Sequence, residues 1–310
     1  MQEDLLVKIA WYYYFDGLTQ DQIAKKLGMY RMKVNKLLNE ARERGILEIK
    51  IKSSKAGLIG FSERVKRATG LEDVVVVPRG ENLLGALASG VVHYLETTPR
   101  KLENLGIGSG KTLQRVPQYI ESDSPATHKI TNIYALLGNA KPNMAMNPNN
   151  IGIALAQKLN ADFFSIFAPA LTQSEEEAKM IRNNRFVASV LKLSEKADLA
   201  LVGLGGVQKS SWIDMDFISE EELSQIRKLG AVGEIFGRYF DIDGNRIETS
   251  IDKRIIALSI PMKCFAVAAA GGEEKVKAIV GAIRGRFING LITDEETGRA
   301  VISYFQSQEH

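Results

Sequence analysis

LTQDQIAKKLGMYRMKVNKLLNEARERGI, residues 18 to 46, decides the architecture of the N-terminal part of the chain and predicts two short helices joined by a tight turn. Thr19 and Gln22 have the spacing of a capping box at the start of the first helix. Gly28 can end that helix in the left-handed conformation. The second helix is predicted from about Arg31 to Arg44. Its buried face is one apolar stripe at helical spacing, formed by Val34, Leu37, Leu38 and Ala41.

Polar and basic residues fill the other faces of the second predicted helix, as in a helix-turn-helix that inserts this helix into the major groove of DNA. Arg and Lys can pair with guanine or phosphate, and Asn can read adenine through two hydrogen bonds. The alternative is an ordinary helical hairpin with a solvated basic face. Tyr30 stands where a Ser or Thr cap is preferred. The candidate DNA-binding residues are Thr19, Gln20, Tyr30, Arg31, Lys33, Asn35 and Lys36.

The length of 310 residues is enough for two domains, and 45% hydrophobic residues indicate a folded core. The net charge is +3, and it is uneven, because residues 1–55 carry +4 and the remainder carries −1. A basic excess beside the predicted helix-turn-helix favours DNA binding. We predict a helix-turn-helix domain over 1–53, a linker or oligomerisation helix over 54–70 and an effector domain over 71–310. A first helix is predicted over 5–15 and a short strand over 46–52.

Several classes of protein are disfavoured by composition. Cys264 is the only cysteine, and the three histidines are widely spaced with no metal-ligand pattern. We therefore expect no metal, no cofactor and no intrachain disulfide. No signal peptide is apparent, and the most apolar stretch, 255–270, is interrupted by Pro261 and Lys263. The expectation is a cytoplasmic protein that does not span a membrane.

After Leu71 the pattern becomes strand, glycine loop and helix, repeated. Helices are predicted between most of the strands, for example at 83–95, 151–159 and 273–283. Continuous apolar strands alternating with helices predict an α/β domain with a mostly parallel sheet covered on both faces. Ligands bind such sheets in the loops at the carboxyl ends of the strands. The predicted strands are 74–77, 105–107, 130–137, 163–167, 199–204, 265–270 and 287–292.

The glycine-rich loop 106–112, GIGSGKT, follows a strand and opens a helix. It is not a P-loop, because Leu105 occupies the position of the first glycine, and Lys111 breaks the dinucleotide-binding pattern. Either a generic anion-binding turn or a plain tight turn remains possible. Gly203 and Gly205 end another strand, and Lys275 lies in a first helical turn, where an anion would relieve its mismatch with the helix dipole.

Five segments, taken in order, carry a family resemblance over nearly the whole chain. They are WYYY with GLTQ (11–20), VGLG (202–205), GAVGE with RYFD (230–241), AGGEEK (270–275) and FINGLITD (287–294). On these motifs the chain resembles the SorC-type sugar-binding transcriptional regulators.

The resemblance implies a large α/β domain similar to the sugar-phosphate isomerase, deaminase and CoA transferase-like fold. It also implies a dimer or tetramer that binds operator DNA, with an affinity set by a phosphorylated sugar or related metabolite. Glu234 falls where some members carry a ligand-binding Asp, so its longer side chain implies a different effector. The rival function is a sugar-phosphate isomerase or deaminase, although no catalytic acid/base pair is identified. The effector-binding residues implied are Gly108, Ser109, Gly110, Lys111, Thr112, Gly203, Gly205, Glu234 and Lys275.

Overall fold

The computed structural model describes residues 2–47, 54–140, 146–208, 210–214 and 217–307. The chain divides into two compact units, Met1–Ala56 and Gly57–His310. The predicted strand over 46–52 lies almost entirely outside the described residues, and its first two positions are not in a strand.

Residues 2–47 of the first unit form three helices, α1 (Gln2–Tyr14), α2 (Gln20–Leu27) and α3 (Arg31–Glu43). The capping box of α2 is present, with Thr19 and Gln22 bonding each other's backbone, and Gly28 ends the helix at φ 65°. Residues from all three helices form one small core: Leu6, Ile9, Ile23, Ala24, Val34, Leu37, Leu38 and Ala41. The predicted apolar stripe of α3 is therefore its buried face.

Helix α4 (Ser54–Thr69) starts three residues before the boundary between the units, and most of it belongs to the second unit. Its Phe61 and Val65 pack on Val76 of the first strand. The other helices of the second unit are α5 (Leu83–Thr97), α6 (Pro148–Leu159), α7 (Glu175–Asn183), α8 (Arg185–Ser194), α9 (Ser211–Asp214), α10 (Glu220–Lys228), α11 (Val276–Arg284) and α12 (Glu295–Gln306). Short 3-10 turns cover Leu113–Tyr119, Pro125–His128 and Glu273–Lys275. Within the described parts of the chain, no helix is both long enough and apolar enough to cross a bilayer.

A seven-stranded parallel sheet forms the centre of this unit. Its strands are β1 (Asp73–Val77), β2 (Asn104–Ile107), β3 (Asn132–Ala135), β4 (Asp162–Phe164), β5 (Leu199–Val202), β10 (Phe265–Ala269) and β11 (Gly290–Asp294). They lie in the order β1-β11-β10-β5-β2-β3-β4. Each predicted strand overlaps one of these seven, which confirms the predicted parallel α/β domain.

Both faces of the sheet are buried, as β5 illustrates. Leu199 and Leu201 join the core beneath α5 and α6, and Ala200 and Val202 join the core beneath α10 and α11. A strand covered on both sides has no polar face, which is why its sequence is a continuous apolar run.

A second sheet of four short antiparallel strands was not predicted. It consists of β6 (Gly205–Gly206), β7 (Gly233–Ile235), β8 (Arg238–Phe240) and β9 (Arg246–Ile247), in that order. Phe236 and Gly237 join β7 to β8 with φ of 55° and 72°. Two successive positive φ angles are those of a type I′ hairpin turn, whose twist matches the flanking strands.

Candidate effector site and nucleic-acid interface

The outer face of α3 is the candidate nucleic-acid interface. Tyr30 precedes the helix as its N-cap with no side-chain capping bond, and it is 86% exposed. Arg31, Lys33, Asn35 and Lys36 are all exposed along the first two turns. These side chains are therefore accessible to a nucleic-acid groove, while the apolar stripe holds α3 on its unit.

Thr19 and Gln20 are partly engaged within the same unit. The Thr19 hydroxyl accepts a hydrogen bond from the backbone amide of Gln22 at 3.3 Å. The side-chain amide of Gln20 donates to Oδ1 of Asn35 at 3.5 Å. Arg31 lies 3.8 Å from Asp21, and both side chains are largely exposed. Such an exposed ion pair contributes little and can exchange for a phosphate contact.

A cleft of about 640 Å³ lies at the carboxyl ends of β2, β5 and β10, three strands that are neighbours in the sheet. The loop after each strand contributes to its wall, as expected for an open parallel sheet. Of the predicted effector residues, the cleft is lined by Ser109, Gly110, Lys111, Thr112, Gly203, Gly205, Glu234 and Lys275.

Gly108 is the one predicted effector residue that does not line this cleft. Its amide donates to the Leu201 carbonyl at 2.9 Å, which ties the loop after β2 to β5. A Cβ on Gly203 would lie 2.7 Å from the Ser109 carbonyl oxygen, so the two loops approach closely because Gly203 has no side chain. Thr112 then begins the 3-10 turn Leu113–Tyr119.

Lys275 enters the cleft as the N-cap residue of α11, directly after β10 and its glycine loop. Burial lowers the pKa of Lys275, and the nearby positive charge of Lys111 lowers it further. The carboxylates of Glu234 and Glu274 act in the opposite direction. The two lysines repel each other because both are positively charged, and an anion bound between them would reduce this repulsion.

Glu234 is a buried carboxyl group, 5% exposed, in the same cleft. Burial raises the pKa of Glu234. This pKa is lowered in turn by the Gly237 amide, by the charge of Lys275 and by the Trp212 side chain. The Gly237 amide donates to Oε2 at 2.7 Å. Gly205 faces Glu234 across the β6–β7 pair, and a Cβ on Gly205 would overlap Oε1 of the carboxyl group.

Three further residues shape the site and were not predicted to do so. Trp212 supports Glu234, and Phe236 lines the cleft from the left-handed turn between β7 and β8. Asp294 caps α12 and also accepts from the Gly272 amide at 3.3 Å, which fixes the loop after β10. Trp212 and Phe236 gave no motif signal, whereas Asp294 ends an apolar strand and precedes a helix, which is a signal for an N-cap.

The described residues contain no group of three or more His, Cys, Asp or Glu side chains placed to hold a metal ion. The cleft instead combines two lysines and backbone amides with a buried carboxylate and apolar walls. This combination suits a small, strongly polar molecule that carries an anionic group.

Comparison with known proteins identifies the family. A family model described as "Putative sugar-binding domain" matches residues 54–303. The transcriptional regulator LsrR of Escherichia coli is 33% identical over 97% of this chain and 95% of its own length. The full-length sorbitol operon regulator SorC of Klebsiella pneumoniae has a TM-score of 0.73 at 25% identity, covering 97% of this chain and 99% of that one. This chain belongs to the SorC-type family of sugar-binding transcriptional regulators.

A further solved structure, a probable sor operon regulator from Shigella flexneri, supports the fold of the larger unit. It has a TM-score of 0.72 at 21% identity and covers 79% of this chain. The chain is thus a DNA-binding transcriptional regulator of the SorC type, with a sugar-binding domain over residues 54–303. The binding roles of the individual residues remain predictions.

Proposed function

We propose that the chain regulates a carbohydrate-metabolism operon in the cytoplasm, and that a phosphorylated sugar in the cleft controls its affinity for operator DNA. The observation that carries this proposal is the cleft itself, which joins the cationic pair Lys111 and Lys275 to the buried carboxyl group of Glu234. One end suits a phosphoryl group and the other suits sugar hydroxyls.

The phosphoryl group is assigned to the loop 109–112 and to Lys275. Backbone amides at the start of a helical turn suit an anion, and a lysine adds a charge-assisted hydrogen bond. The lowered pKa of Lys275 supports this assignment, because a nearby dianion favours the charged lysine. Glu234, held by the Gly237 amide, would then accept hydrogen bonds from sugar hydroxyls.

The direct test is a thermal-shift screen against a panel of phosphorylated and unphosphorylated sugars, followed by operator binding with each hit. A ligand that binds only the folded state raises the melting temperature. We expect a phosphorylated sugar to raise it and also to change operator affinity. Hits confined to unphosphorylated compounds would contradict the assigned phosphoryl site.

Single alanine substitutions on α3 should identify, by their effect on operator affinity, the side chains that contact DNA bases. Arg31→Ala should weaken operator binding by roughly 1–3 kcal/mol if Arg31 reads a base. The same measurement applies to Lys33, Asn35 and Lys36, because all are exposed and leave the core intact. Unchanged operator affinity in all four folded variants would contradict the proposed interface.

The protein is expected to act as a homo-oligomer, a dimer or a tetramer, on a two-fold or repeated operator. A single helix-turn-helix buries too little surface for tight specific binding, so half-sites are normally paired. Light scattering at micromolar concentration, with and without operator DNA, measures this directly. A monomer under both conditions would be inconsistent with the expectation.

Effector affinity should fall as the pH rises from neutrality toward the ordinary lysine pKa of 10.5. The charged form of Lys275 binds the anion, and its pKa in the free protein is lowered, so binding takes up a proton in that range. The slope for one proton is at most about tenfold per pH unit. Calorimetric titrations at several pH values test this, and Lys275→Ala should flatten the profile.

The rival function is a sugar-phosphate isomerase or deaminase, for which a buried carboxyl group with a raised pKa would be a candidate acid or base. The relatives LsrR and SorC are named as regulators, which favours regulation. Turnover assays with ribose 5-phosphate and glucosamine 6-phosphate distinguish the two functions.

A further inference from the structure

The β7–β8 hairpin has two faces, and each faces a different cleft. Glu234 pairs with Tyr239 across the hairpin, and Ile235 pairs with Arg238. Successive residues of a strand point to opposite faces, so Arg238 lies on the face opposite Glu234. Arg238 lines a separate cleft of about 600 Å³, together with residues of α7, α8 and the segment 246–259. We call this the back cleft.

Arg238 is buried in a way that leaves part of its guanidinium without a partner. Its side chain is only 6% exposed. Among the residues that the structure describes, no hydrogen-bond acceptor reaches its Nη1 atom, and the same holds for the buried Nε atom of Arg246. Buried polar atoms are nearly always hydrogen-bonded, so an unpartnered guanidinium nitrogen on a residue that lines a cleft indicates an acceptor that binds there.

The back cleft also concentrates positive charge around Arg238. Arg182 and Arg246 line it as well, and both lower the pKa of Arg238. Burial is the larger cause, and only Asp252 raises this pKa, so the net result is a value of about 10. Arginine side chains carry a positive charge in proteins, and an anion among these three would be strongly attracted.

No carboxylate of the back cleft bonds Nη1 of Arg238, and three of the four pair with other cations. Asp252 pairs with Arg246 and accepts from the amide and hydroxyl of Thr249 at 2.9 and 3.0 Å. Glu175 pairs with Lys179 at 2.8 Å, and Glu195 pairs with Lys263 at 2.9 Å. The fourth, Glu248, is exposed to solvent.

We propose that the back cleft is a second anion site, in which the guanidinium of Arg238 binds a phosphoryl group. Arginine presents several donors in one plane, which suits the oxygens of a phosphate. Asp252 and the exposed Glu248 offset part of the charge of the three guanidinium groups, and a bound anion balances the remainder. The site is separate from the effector cleft, since the two share no lining residue.

The test begins with a protein whose effector cleft is disabled by Lys111→Ala and Lys275→Ala. Calorimetry with inorganic phosphate, at constant ionic strength, should still detect about one phosphate per chain. Adding Arg238→Met should weaken this binding ten- to hundred-fold, the usual effect of losing a hydrogen bond to a charged group. Arg238→Lys should give an intermediate loss. Lys158→Met removes an exposed charge on α6 and should change nothing.

No phosphate binding in the disabled protein, or unchanged binding after Arg238→Met, would overturn the proposal. If Arg238→Met does not fold, a crystal of the disabled protein soaked in phosphate gives the answer. Phosphate density within hydrogen-bond distance of Nη1 supports the site, and a water molecule there overturns it. Tighter binding of ribose 5-phosphate than of phosphate would identify an organic phosphate as the ligand, and equal binding would identify free phosphate.

Discussion

Lys275→Ala is expected to weaken the binding of a phosphorylated sugar ten- to hundred-fold. The substitution removes a charge-assisted hydrogen bond to the phosphoryl group, worth about 1.5–3 kcal/mol. Operator binding without effector should be unchanged, because Lys275 lies in the sugar-binding unit and not among the exposed residues of α3. Calorimetric titration of the effector, beside operator binding with and without it, measures both quantities.

The same substitution should not destabilise the protein in the absence of effector. Burial and the charge of Lys111 both lower the pKa of Lys275, so its charged form is disfavoured without a bound anion. Removing such a group relieves that cost but also removes a charge that favours ionised Glu234, so we expect little change in the melting temperature of Lys275→Ala. Stability is commonly sacrificed at binding sites in this way.

Thermodynamic linkage connects effector binding to operator affinity. An effector can shift operator affinity only through its different affinity for two states of the regulator. Loss of effector binding should therefore abolish the response without altering the basal operator affinity. Lys277→Ala is the matched control, since Lys277 is exposed two residues further along α11. Wild-type effector affinity in Lys275→Ala would contradict the site, and an equal loss of basal operator binding would make Lys275 structural.

The parallel sheet could be predicted from sequence because its central strands are buried on both faces. Runs such as 199–204 and 265–270 are apolar segments followed by glycine loops, a pattern typical of strands covered by helices on both sides. The three small helices of the first unit were also predictable. Their caps, Thr19 and Gly28, and the stripe of α3 are local signals that agree with one another.

The small antiparallel sheet could not be predicted from sequence for an equally physical reason. Its strands are two or three residues long, which is too short to show an alternating pattern, and β6 consists of two glycines without side chains. Glu234 on its own could equally be a solvated carboxylate. Its burial follows from the pairing of Gly205 with Glu234, a contact between segments about thirty residues apart.

Gly205→Ala is expected to lower both the stability of the protein and its effector affinity, by displacing the carboxyl group of Glu234. The new Cβ would overlap Oε1 of Glu234, so the side chain must rotate away or the β6–β7 pair must separate. Overpacking of this kind typically costs about 1–3 kcal/mol. A rotated Glu234 would also lose the Gly237 amide, and effector binding should fall with it. Thermal unfolding and calorimetric titration report the two effects.

A double-mutant cycle identifies the overlap as the cause. Glu234→Ala removes the atoms that the new Cβ would meet, so Gly205→Ala in that background should cost much less stability than in the wild-type protein. The two substitutions share one contact, and neighbouring sites of this kind show coupling of about 0.5–3 kcal/mol. Gly80→Ala is the control for adding a methyl group, because its Cβ would meet nothing within 4 Å. Additive costs in the cycle would mean that Gly205 acts through its backbone and not by making room for Glu234.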